Sequence, residues 1–317
     1  MRRIIYLLLP LLCIGSLCAQ QLPLHTQYLY NKLAYNPAYA GGENGWEATA
    51  MYRNQWIGLE GAPTVLSLSL HGQALGNNSA LGLQVQNYGI GISNFTNLEG
   101  MYAYHFPWGD GHFSIGVSAS MRNVVTDYTD DRLISDGPIG VDPSLLDQRL
   151  SQWRPNFGLG LYYETDQYFI GVSAPRLIRQ DLQFDEEMLV DTEETPHYFA
   201  MLGGKWDLSS TAALLVQSAI RTTDNSPLDV DLSAIIRYKE VIDAGINYRF
   251  GGRDGSTGDS IDLLFSWRFV ERARLGIAYD MSLGSLRQVQ NGSLELLLQY
   301  RGLTTGSSEE LVNPRTF

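Results

Sequence analysis

The chain is poor in cysteine, in positive charge and in long apolar runs, and each shortage closes off a class of function. Its only cysteines, Cys13 and Cys18, lie before residue 20. A chain without that stretch has no disulfide, no thiolate metal site and no cysteine nucleophile. Lys and Arg number 22 against 34 Asp and Glu, a net charge of −12. That balance provides no basic surface for phosphates and argues against nucleic acid as a partner. Beyond the amino terminus no run reaches the roughly 18 apolar residues that a membrane-spanning helix needs. Charged residues are only 18% of the chain, while glycine is abundant at 32 residues.

The amino terminus has a short positive region, Met1-Arg2-Arg3, an apolar run from Ile4 to Leu12, and small residues up to Ala19. That order is the pattern of a secretory leader, too short to serve as a stop-transfer helix. Residues 1–19 are expected to be a signal peptide cleaved after Ala19. Leu17 is too large for the small residue that would precede a lipidated Cys18. Cleavage removes Arg2 and Arg3 and moves the net charge from −12 to −14.

What the remaining sequence has is period-2 alternation. From Phe113 to Arg122 the odd positions are apolar and the even ones small or polar. Leu228–Ala234 repeats the pattern, and Ile261, Leu263, Phe265, Trp267 and Phe269 share one face. Successive side chains of a strand point to opposite faces, so such segments are strands with one apolar side. Fourteen are expected, near 46–56, 63–72, 79–88, 94–106, 111–123, 153–164, 167–175, 196–207, 210–221, 227–238, 241–250, 258–269, 273–281 and 292–302. The connections sort by length. Those after even-numbered strands are short, while 124–152, 176–195 and 282–291 all follow odd-numbered strands. Outer-membrane barrels segregate short periplasmic turns from long outer loops in this way. The expected fold is an all-β transmembrane antiparallel up-and-down barrel of about 14 strands over residues 46–302, with a periplasmic segment 20–45 and a periplasmic tail 303–317.

The two faces differ in chemistry. Leu66, Leu68, Ile115, Val117, Leu159, Leu161, Leu263, Phe265, Leu296 and Leu298 fall on one side. Glu47, Arg53, Arg122, Arg221, Asp229, Asp231, Arg237, Asp243, Arg249, Asp262, Arg268, Arg274, Asp280 and Glu295 fall on the other. A Lys or Arg on a lipid face costs about 2–4 kcal/mol at the bilayer midplane, so these charges belong inside. A soluble sandwich would alternate too, but Trp46, Trp56, Trp108, Trp153, Trp206 and Trp267 lie near strand ends, as interfacial girdles do.

After the leader the chain reads Gln27-Tyr28-Leu29-Tyr30-Asn31-Lys32-Leu33-Ala34-Tyr35-Asn36-Pro37-Ala38-Tyr39-Ala40-Gly41, and later Tyr52-Arg53-Asn54-Gln55-Trp56. Both strings resemble the opening of the PorP/SprF family of type IX secretion and gliding-motility outer-membrane proteins. Gly160–Ser173 is similar to that family's tyrosine-rich hairpin. The chain departs from the pattern at Gly292-Ser293-Leu294-Glu295 and in its tail, Asn313-Pro314-Arg315-Thr316-Phe317. The resemblance implies a barrel of FadL-like general shape. It also implies work with secretion machinery or anchoring of a secreted adhesin, with partner contacts at Tyr28, Asn31, Asn36, Pro37, Ala38, Tyr39, Gly41, Arg53, Asn54, Gln55 and Trp56.

The residues add a reading of their own. Pro37 fixes its φ and keeps Asn36 extended, and the Asn36 side chain can satisfy nearby backbone. Residues 22–42 are therefore expected either to fold back into the periplasmic mouth as a plug or docking strap, or to form an ordinary turn capping the barrel. The acids of 124–152 and 176–195 read as solvated loops, without the spacing of a Ca²⁺ loop. His71, His105 and His112 read as lumen or rim residues, and Ser67, Ser69 and His71 as lumen filling. No catalytic, cofactor or metal site is expected. Two functions remain. One is a secretion barrel that contacts outer-membrane lipid, an exported cargo domain or surface adhesin, and periplasmic machinery. The other is a channel or transporter for a small solute. Opposed charges across the lumen predict weak conductance.

Overall fold

The computed structural model describes residues 25–42, 45–75, 78–132, 148–181, 193–224, 226, 228–251 and 259–302. The expected leader, the tail 303–317 and most acids of the two long loops lie outside these residues. Fourteen strands form one closed antiparallel barrel. They are β1 Trp46–Asn54, β2 Thr64–Gln73, β3 Ser79–Ile90, β4 Ser93–Trp108, β5 Gly111–Asp127, β6 Arg149–Glu164 and β7 Tyr168–Arg176. The second half comprises β8 His197–Asp207, β9 Ala212–Thr223, β10 Asp229–Tyr238, β11 Ile242–Phe250, β12 Ser260–Val270, β13 Ala273–Ser282 and β14 Ser293–Arg301. Each strand pairs with its sequence neighbours, and β1 closes on β14 from Glu47↔Arg301 to Asn54↔Leu294.

Alternation decides which way each side chain points. In β2, Val65, Ser67, Ser69 and His71 are buried while Leu66, Leu68 and Leu70 face out. Arg53, Arg122, Asp231, Asp262 and Glu295 all turn inward. The outward face is a continuous apolar wall, with Leu263 at 49% and Ile246 at 55% exposure. A soluble sandwich would bury one of its faces against a second sheet, and this wall has none, so that alternative is set aside. Lipid is the solvent that makes the exposure favourable. Trp108, Tyr168, Trp206, Tyr238, Trp267 and Tyr300 ring the outer face toward the short-turn end. Among those turns, Lys239 and Glu240 both have positive φ, and Val241 N–H donates to Tyr238 O at 3.0 Å. This is the type I′ geometry that matches strand twist.

The expected boundaries need correction at the long-loop end. β5 runs on to Asp127 and β6 begins at Arg149, each four residues beyond its expected end, with Asp127↔Arg149 still in register. Once a hairpin leaves the bilayer both faces meet water, so alternation fades while backbone pairing continues. The opposite error occurs in β1, which stops at Asn54 because Trp56 turns to a φ of 52°.

Candidate functional site

The lumen holds the amino-terminal segment. Residues 25–42 run as three short 3-10 turns, Tyr28–Tyr30, Lys32–Ala34 and Pro37–Tyr39. Thr26 lies beside Glu295 and Asp280, in the long-loop half of the lumen, and Gly41 lies beside His71 at the short-turn end. The segment therefore reaches much deeper than a mouth.

Along one arc of the wall the contacts are ionic. Arg53 of β1 pairs with Asp280 of β13 at 2.5 Å and Glu295 of β14 at 3.3 Å. Thr26 lies among them. Its Oγ1 donates to Asp280 at 2.9 Å and accepts from Arg53 at 3.0 Å. The backbone N–H groups of Thr26 and Gln27 donate to the two oxygens of Glu295 at 3.0 and 2.8 Å. Arg249 of β11 pairs with Asp231 at 2.7 Å and lies 3.6 Å from Asp280. Lower down, Tyr30 OH donates to Asp243 at 2.6 Å, and Arg237 and Arg274 hold the same carboxylate. A phenol is protonated at physiological pH, so Tyr30 is a proton donor to Asp243 there.

Along the opposite arc the contacts are steric and local. Asn36, extended at φ −139° and ψ 111°, accepts from Ala38 N at 2.9 Å. Its amide nitrogen donates to the wall carbonyls Leu161 O at 3.0 Å and Val172 O at 3.3 Å. So close an approach requires glycine in the wall. A Cβ on Gly116 would collide with the Pro37-Ala38 backbone, and one on Gly160 with the Asn36 side chain. A Cβ on Gly171 would lie 2.9 Å from the Asn36 amide nitrogen. Lys32 stands 3.7 Å over the Phe169 ring and donates to Tyr162 OH at 3.0 Å.

The expected partner-contact residues divide among three places. Tyr28, Asn31, Asn36, Pro37, Ala38, Tyr39 and Gly41 lie in the lumen and are buried. Arg53 is a buried wall residue that donates to Thr26 of the same segment. Asn54 and Trp56 line a groove at the long-loop end, with Gln55 half-buried between them. Glu194, expected in a solvated loop, is a correction: it lies inside the barrel and accepts from Arg122 and Arg176, both at 2.6 Å. Two inward arginines on neighbouring elements draw it in, a tertiary fact that loop composition does not carry. Asp130 stays in the exposed rim, where hydrogen bonds from Arg132 hold its carboxyl at about 2. His71 accepts from Gly41 N at 3.1 Å and faces Glu47 at 3.4 Å. Sequence reasoning passed over Thr26, Gln27 and Lys32. The wall glycines Gly116, Gly160 and Gly171, at inward strand positions, were the available signal.

A closed barrel with an apolar exterior, charges inside and segregated turns defines an outer-membrane β-barrel. A channel for monoaromatic hydrocarbons, CymD, shares the fold at a TM-score of 0.50 and 15% identity, over 86% of this chain and 93% of that one. A Pseudomonas aeruginosa FadL homologue does so at 0.50 and 11%, over 85% and 93%. No curated protein sequence matches. The family model for the type IX secretion system membrane protein PorP/SprF matches residues 17–300, and the chain belongs to that family.

Proposed function

We propose that this outer-membrane barrel binds or anchors an exported cargo domain or surface adhesin at its long-loop end and contacts periplasmic machinery at its short-turn end. The supporting observation is the occupied lumen. At the level where Thr26 and Gln27 cross it, Arg53 is 1% exposed and Glu295 is 0% exposed. A conduit needs hydrated lumen charges, and these are shut away from water. Residues 22–42 act as plug and strap, and the long-loop groove of Asn54, Trp56, Asp127 and Arg149, with a volume near 580 Å³, is the face offered outward. Removing the protein from cells should abolish surface display of at least one exported protein. Reconstituted protein should conduct weakly in planar bilayers. Deleting residues 22–42 should impair both barrel assembly and secretion. A stable large conductance from the intact chain, with secretion unaffected by its loss, would favour the solute channel instead.

A further inference from the structure

Every junction of the barrel but one joins strands consecutive in the chain. The exception is the seam where β1 meets β14. Its partners are far apart in sequence: Arg53 and Glu295 by 242 residues, Glu47 and Arg301 by 254. Bringing such partners together carries the closure cost of the whole intervening chain. The seam is also the junction that can part without a hairpin turn being undone.

From the long-loop end down, the inward pairs of the seam are Arg53 with Glu295, Met51 with Leu297, Thr49 with Gln299 and Glu47 with Arg301. The lumen segment meets the first three in turn. Thr26 Oγ1 accepts from Arg53 at 3.0 Å, while the N–H groups of Thr26 and Gln27 donate to Glu295 at 3.0 and 2.8 Å. Tyr30 packs on Met51 and Leu297 together, and Asn31 donates to the Met51 sulfur at 3.5 Å. Gln299 donates to Tyr30 O at 2.8 Å and across the seam to Glu47 at 3.0 Å. The lipid side adds less. Ala48 and Ala50 face outward there, and a hollow of about 480 Å³ lies over Ala50, Leu296 and Leu298. Small side chains make weak cross-strand contacts.

We propose that residues 26–31 are the clasp of this seam: seated on both edges they hold the barrel shut, and their withdrawal parts β1 from β14. The segment also lies over Gly116 and Gly160, but β5 and β6 are consecutive strands that the chain already ties together. At the seam that tie falls to the segment. It is thus plug and latch at once, because the atoms that fill the lumen are the ones that bridge the two edges. Parting the seam exposes the N–H and C=O rows of β1 and β14, the kind of edge that accepts an added strand. The clasp concerns closure of the barrel and stands or falls apart from the binding of any exported domain.

The test is hydrogen exchange of the intact protein in detergent, read by mass spectrometry. In the unaltered chain the amides of residues 26–31 should exchange at the same rate as those of the seam, 47–53 and 294–300, because one opening frees both. The paired strands β3 and β4 should exchange about ten-fold more slowly than the seam. Thr26→Val keeps the shape of the side chain and removes its bonds to Arg53 and Asp280. It should speed seam exchange about ten-fold, as loss of a hydrogen bond to a charged group does, and leave β3 and β4 unchanged. Thr26→Ser keeps the hydroxyl and should restore the slow rate. Seam amides protected about ten-fold beyond those of 26–31 overturn the proposal, since the segment would then be leaving a barrel that stays shut. So does a Thr26→Val variant whose exchange rises equally in all strands, or does not rise at the seam. Should that variant fail to fold, the rates of the unaltered chain decide alone.

Discussion

The two arcs of the lumen grip the same segment by different physics. On β1 and β10–β14 the wall presents Arg53, Asp231, Asp243, Arg249, Asp280 and Glu295, and the segment completes their hydrogen bonds through Thr26, Gln27 and Tyr30. On β5–β7 the wall presents Gly116, Gly160 and Gly171, and the segment lies against bare backbone. An ionic arc tolerates small shifts but not the loss of a partner. A glycine arc tolerates no added atom. The segment is thus fixed in depth by charge and in lateral position by shape.

Arg53→Ala should have the largest effect, because it strands Asp280 and Glu295 without their shared counter-charge. Breaking one partner of such a buried group costs about 3–5 kcal/mol, read as the loss of heat-resistant folded barrel on a semi-native gel. Gly160→Val should cost about 1–3 kcal/mol by overpacking, and should make residues 25–42 susceptible to protease from the short-turn end. A variant that keeps the segment protected would show that the wall can yield there. Asn36→Ala removes three hydrogen bonds, to Ala38 N, Leu161 O and Val172 O. It should cost about 1–2 kcal/mol and raise amide exchange of residues 36–42 ahead of residues 25–31. Equal exchange in the two stretches would mean that the arcs act as one unit. Gly100→Ala is the smallest change. Gly100 lies on the outer wall, where an added methyl would meet nothing within 4 Å, and stability should move by no more than about 0.5 kcal/mol.

The barrel wall was legible because a bilayer enforces period 2: Ile115, Val117 and Ala119 out, Ser114, Ser118 and Ser120 in. Inward placement of Arg53, Asp231 and Arg122 followed from the same rule. The long-loop ends of β5 and β6 were not legible, since water on both faces removes the signal. Nor were the carboxylate partners of Thr26 and Gln27, which lie more than 250 residues away in sequence. Asn36-Pro37 foretold a turn with a self-capped asparagine, and it forms one. That the same amide also reaches two strand carbonyls could be found only by seeing Gly160 and Gly171 beside it.

By itself the sequence determined the strand count, the side of the wall each residue takes and the segregation of long from short connections. These are local consequences of hydrophobic alternation and turn chemistry. Tertiary structure alone decided what fills the lumen and which carboxylate answers which arginine. Such pairings depend on the distances that barrel closure sets between residues far apart along the chain, and no local pattern encodes them.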